Sequence, residues 1–232
     1  MKLGGILALA GALLLTGCAS TPAPASEKVQ AAYESGRPLA PTVTKPAAVF
    51  FGDSYTQGTG ASSAATSWVP LVSAAKGWGF ENLGRGGTGY LATSNEKGCG
   101  LPFCPNYDQM VNESSGKADF VVIAGGQNDL TAAAKDVDPL LAAVDKTYSD
   151  ARAKYPKATI IAVGPSTPGT VDATVRALDA AVRNAAAKVG AKYVSLIDPD
   201  VIDRTTMMAP DGGHVNDAGH AAIAERVKSV LR

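Results

Sequence analysis

The chain is poor in the residue types that several kinds of site require. Three cysteines and two histidines in 232 residues are too few and too scattered to assemble a zinc ligand set, so no metal centre is expected. Basic and acidic residues balance at 21 each, and no basic block interrupts the chain. A nucleic-acid partner is therefore not expected. There is no internal repeat, which excludes solenoid architectures. No uncharged run is long enough to span a bilayer comfortably. What is present is ordinary core-forming material, 46% hydrophobic with 18% charged residues, enough for one generous domain.

The first residues have an export pattern. Lys2 is followed by an uncharged Leu- and Ala-rich run to Leu15, shaped like the apolar region of a secretory signal. The run closes on Leu15-Thr16-Gly17-Cys18, which resembles the lipobox of bacterial lipoproteins. That resemblance implies removal of residues 1–17 and lipidation of Cys18, giving an exported, membrane-anchored lipoprotein of the cell envelope. Removal of 1–17 takes away one charge, Lys2, and leaves the mature chain close to neutral. Residues 18–45, rich in Ala, Pro, Ser and Thr, read as a tether. The other two cysteines, Cys99 and Cys104, lie in Cys-Gly-Leu-Pro-Phe-Cys. In an oxidising compartment they are expected to pair and pin a loop, which stabilises by about 2 kcal/mol for so short a ring.

Residues 46–232 read as the folded domain. Ala47 to Phe51 is five apolar residues between Pro46 and Gly52, the pattern of a short strand buried on both faces in a parallel sheet. Further short strands are expected at Phe80–Leu83, Asp119–Ala124, Thr159–Val163 and Tyr193–Ile197. Between them lie helical patterns: Trp68, Leu71, Val72 and Ala75 after a cap at Thr66 or Ser67; a segment through Tyr107, Met110 and Val111; Ala142–Ala153; and about Val171–Val189. A closing helix runs from about Asp217 to Leu231, with Ala221, Ile223, Ala224, Val227 and Val230 as its buried side. Strand and helix in alternation predict an α/β fold, a flavodoxin-like three-layer sandwich with a five-stranded parallel sheet in the order 2-1-3-4-5.

In such a sheet the loops after strands one, two and three open on one edge, where ligand sites form. Ser54, in Gly52-Asp53-Ser54, stands at that edge and is the candidate nucleophile. The same three residues are ordinary turn formers, so the assignment depends on partners elsewhere. A serine hydroxyl needs a base and a group to orient that base. His214, in the loop Asp211-Gly212-Gly213-His214, can reach the sheet edge, whereas His220 lies inside the last helix and reads as packed or surface imidazole. Asp211 can fold back onto the His214 ring; Asp217 reads better as a helix cap. Donors for a developing oxyanion are the amides of Ser54 and Gly87 and the side chain of Asn128, although Asn128 is also a common turn residue.

Four blocks in order resemble the SGNH hydrolases, also called GDSL esterases and lipases: Phe51-Gly52-Asp53-Ser54, Asn82-Leu83-Gly84-Arg85-Gly86-Gly87-Thr88, Gly126-Gln127-Asn128-Asp129 and Asp211-Gly212-Gly213-His214. The resemblance covers about Ala48 to the C-terminus. It implies Ser54 as nucleophile, Gly87 and Asn128 completing the oxyanion hole, Asp211 and His214 finishing the triad, and no metal or organic cofactor. Tyr55 departs from the Leu of the family name and Val215 from the Pro that often follows the His, which bears on pocket shape. The segment is not the Gly-x-Ser-x-Gly of a nucleophile elbow.

The expected activity is serine esterase chemistry through an acyl-enzyme, on a small ester, an acylated glycan or a glycolipid of the envelope. An acyltransferase with the same triad and a non-catalytic ligand-binding lipoprotein are the alternatives. Aromatics total only 6%, yet Tyr55, Trp68, Trp78, Tyr90, Phe103 and Tyr107 crowd the first half of the domain. Most are expected in the core, some in a cleft for sugar or acyl groups.

Overall fold

A computed structural model describes residues 44–231. The expected signal, Cys18 with its expected lipidation, and nearly all of the expected tether lie outside the described residues. Five strands form one parallel sheet in the order β2-β1-β3-β4-β5: β1 Ala47–Gly52, β2 Gly79–Asn82, β3 Phe120–Ala124, β4 Thr159–Val163 and β5 Lys192–Val194. The predicted sheet and its order are thus present.

Side-chain alternation along the three central strands divides the interior in two. Val49 and Phe51, Val121 and Ile123, and Ile160 and Ala162 face one core, whereas Phe50, Val122, Ala124, Ile161 and Val163 face the other. Successive residues of a strand point to opposite faces, and apolar side chains on both faces oblige both to be covered. One face receives α3 (Tyr107–Glu113), α4 (Asp138–Lys154) and α5 (Ala173–Lys188) through Met110, Leu140, Val144, Tyr148, Leu178 and Val182. The other receives α2 (Trp68–Lys76) and α6 (Asp217–Val230) through Trp68, Val72, Ile223 and Val227. A single turn, α1 (Ser54–Gln57), follows β1. No helix among the described residues is long and apolar enough to cross a membrane.

The boundaries differ from expectation where side chains compete for the backbone. β5 stops at Val194 because the Ser195 hydroxyl oxygen accepts the amides of Ile197 and Asp198, turning the chain while Leu196 and Ile197 stay buried. α4 starts at Asp138, before the expected Ala142, with Pro139 in its first turn, where a missing N–H costs nothing. On α6, Ala221 is exposed and Val230 half-buried. Asn216, not Asp217, caps that helix by accepting from the amides of Ala218 and Gly219. The Asp217 carboxylate instead accepts from the amide and hydroxyl of Ser62 and from the Thr66 hydroxyl. Of the six aromatics singled out, only Phe103 is exposed; the rest are buried.

Candidate active site

Ser54 is the first residue of α1, one position beyond the Asp53 that caps it. A helix leaves its first amides without intrahelical partners, and the Ser54 N–H takes none among the described residues. The hydroxyl of Ser54 donates to Nε2 of His214 at 2.9 Å, and His214 Nδ1–H donates to Asp211 Oδ2 at 2.7 Å. The other oxygen of Asp211 accepts the amides of Gly213 and His214. One carboxylate therefore closes the turn and orients the imidazole that the turn carries. These contacts hold the Asp211 carboxyl below the usual carboxylate range, chiefly through the His214 ring and then through the two amides. Ser54 is nearly buried, while the His214 side chain is 26% and that of Asp211 50% exposed, so the pair opens to solvent.

The loops after β2 and β3 converge on the same point. Asn128 Nδ2 donates to the Thr88 carbonyl at 2.9 Å, which uses one of its two hydrogens and leaves the other available. Gly87 is in the left-handed region at φ +76°, and a Cβ there would meet Ser94 Oγ at 2.6 Å. Its amide also takes no partner among the described residues. Arg85 N–H donates to the Gly52 carbonyl and Gly86 N–H to Gln57 Oε1, so the glycine loop is stitched to the end of β1 and to α1. The structure thus brings Ser54, Gly87, Asn128, Asp211 and His214 to one edge of the sheet. His220 is elsewhere: it is fully buried in α6, with Nε2–H donating to the Thr59 carbonyl.

Two buried carboxylates and a tyrosine, to which the sequence reading gave no role, complete this framework. Asp53 is fully buried and accepts from the Tyr55 amide, the Tyr107 hydroxyl and, at 3.4 Å, the Gly126 amide. Burial pushes its carboxyl up to about 6 against the opposing effect of those donors. Gly125, at φ +118°, lies so close that a Cβ would meet Asp53 Oδ2 at 2.2 Å. Asp129 accepts the amides of Tyr90, Leu91 and Ala92, and burial raises its carboxyl also. A buried carboxylate must find donors, and that rule could have marked both residues, Asp53 directly after β1 and Asp129 in the turn that follows β3. Nothing in the sequence pointed to Tyr107. Beneath the serine, Asp53, Thr56, Gly125 and Gln127 line a cavity of about 10 Å³, far too small for a substrate. Cys99 and Cys104 are bonded to each other, and Ser94 and Cys104 exchange two backbone hydrogen bonds at the neck of their loop.

Comparison with known proteins agrees with this geometry. A GDSL lipase of Mycobacterium tuberculosis is 28% identical over 193 residues, covering 78% of this chain and 79% of its own. Two solved structures share the fold. One is a two-domain esterase active on acetylated mannans (TM-score 0.60, 20% identity, 88% of this chain and 51% of that one). The other is the salicylyl-acyltransferase SsfX3 from a tetracycline biosynthetic pathway (TM-score 0.59, 18% identity, 82% and 55%). Residues 50–222 match the GDSL-like lipase/acylhydrolase family, and with a match spanning nearly the whole domain the chain belongs to that family of carboxylic-ester hydrolases.

Proposed function

We propose that the protein is an exported, lipid-anchored serine esterase that removes short acyl groups from acylated glycans or glycolipids of the cell envelope. The observation that carries the chemistry is the unbroken chain of hydrogen bonds from Ser54 Oγ through His214 to Asp211. Ser54 Oγ attacks the ester carbonyl as its proton passes to His214 Nε2, and the imidazolium that forms is stabilised by Asp211. The oxyanion is received by the amides of Ser54 and Gly87 and by the free hydrogen of Asn128 Nδ2. Collapse breaks the ester C–O bond, and the departing alkoxide takes the proton from His214. Water then attacks the acyl-enzyme by the same relay and restores the serine.

Hydrolysis is favoured over transfer because the acid–base pair is open to solvent, which places bulk water where the acceptor must enter. The glycan preference is supported by the mannan esterase of the same fold, and export by the Lys2 to Cys18 pattern. The test is turnover of acetylated oligosaccharides and of p-nitrophenyl esters of graded chain length by the soluble domain. Ser54→Ala and His214→Ala are each expected to lower kcat by several orders of magnitude, with the double variant scarcely worse. A fluorophosphonate that still labels Ser54→Ala would identify another nucleophile. Preference for long-chain esters over acetylated sugars would overturn the glycan assignment.

A further inference from the structure

Tyr55 occupies the position where the family name has Leu, and it is buried at 6% exposure. Its amide donates to Asp53 Oδ1 at 2.9 Å, which fixes the residue within the turn that presents Ser54. At the other end, its hydroxyl donates to the Gly213 carbonyl at 3.1 Å, and its ring centroid lies 5.8 Å from that of His214. Gly213 lies between Asp211 and His214, in a turn whose Asp211 side chain is half exposed. Apart from Ser54 itself, no other α1 side chain bonds to residues 211–214 among the described residues. A leucine could fill the same volume but has no donor.

We infer that Tyr55 is a positioning residue, clamping the acid–base turn to the nucleophile's own helix so that His214 Nε2 stays on Ser54 Oγ through the proton transfer. The inference rests on the esterase reading above. A base carried on an exposed turn samples many orientations unless something restrains it, and catalysis requires the bound geometry in advance. The phenol suits the task because burial, and then the charges of Asp53 and Asp211, push its ionisation up, so it remains a donor at any working pH. Tyr55 touches neither the ester nor the reacting atoms; it acts through Gly213.

The experiment compares Tyr55→Phe and Tyr55→Leu with the parent on a short p-nitrophenyl ester, with kcat expressed per serine titrated by a fluorophosphonate. Loss of one hydrogen bond is expected to lower kcat about 3- to 10-fold in both variants, with KM unchanged. The rate constant for labelling by the fluorophosphonate, which also requires His214 to take the serine proton across the Ser54–His214 contact, is expected to fall by a similar factor, whereas a merely structural role would lower only the fraction of protein that can be titrated. Titration per site removes any contribution from misfolded protein, and Tyr55→Phe preserves the packing. Unchanged kcat per titrated serine and unchanged labelling rate in Tyr55→Phe would overturn the inference. So would a rise in KM with kcat per titrated serine intact, since that places Tyr55 in substrate binding and not in holding the base. If the parent neither labels nor turns over esters, it is the esterase reading that fails.

Discussion

Asn128 has two tasks for its side-chain amide: one hydrogen is spent on the Thr88 carbonyl and the other is assigned to the oxyanion. That second bond strengthens only as the substrate oxygen becomes anionic, so its loss falls on the transition state. Asn128→Ala is expected to lower kcat by about 10² to 10³ with KM nearly unchanged, roughly 3 to 4 kcal/mol. Asn128→Asp is expected to be at least as damaging, because a carboxylate repels the developing charge. If turnover per titrated site survives and only the melting temperature falls, Asn128 is a turn residue. At this scale the sequence was most legible where a residue type is demanded by chemistry. Ser54, Asn128, Asp211 and His214 stand in short blocks because each is followed or preceded by backbone that must turn. Tyr107, at the start of α3, was not legible as part of this framework, and Tyr55 was legible only as a departure bearing on pocket shape, since a tyrosine reads as core until its hydroxyl partner is known.

Two elements hold tests of their own. The Cys99–Cys104 loop packs on the glycine loop proposed to receive the oxyanion: Ser94, paired with Cys104, lies against Gly87, and a Cβ at Gly86 would meet the Gly98 carbonyl at 2.2 Å. Replacing both cysteines by serine is therefore expected to cost about 2 kcal/mol of stability and also to lower kcat more than it raises KM, as read by denaturant melts beside steady-state kinetics. An unaltered kcat would confine the disulfide to stability. In α6, His220 is buried with Nδ1 lacking any partner, and burial lowers its pKa despite the Thr59 carbonyl and Asp217, with His214 adding to the lowering. The unfolded chain thus takes up this proton first. Stability is full above the ordinary imidazole value of about 6.5 and falls as pH drops through it. His220→Gln is expected to flatten that decline in thermal midpoints measured from about pH 8 to about pH 5, and an identical slope would assign the acid sensitivity elsewhere. Element ends were the least legible feature of the sequence. The halt of β5 depends on one hydroxyl, that of Ser195, and the early start of α4 on a proline that the first turn tolerates.

For the whole molecule, sheet order was readable because three strands carry apolar side chains on both faces, which leaves parallel pairing and covering helices as the arrangement that hides them. Attachment to a membrane rests on the Leu15 to Cys18 pattern alone. Cys18→Ser, expressed with its signal, is expected to leave the membrane fraction for the soluble one, and equal retention of the variant would count against lipidation. The longest connection in the site is between Ser54 and His214, which bond across 160 residues of chain. A polypeptide grows from its N-terminus, so the serine exists well before the base that makes it reactive. The turn carrying Asp211 and His214 comes just ahead of α6. Until that turn is made, a growing chain carries a harmless hydroxyl and cannot attack the esters it passes. Chains broken off before it remain silent, so reactivity waits until the second half of the site has been made.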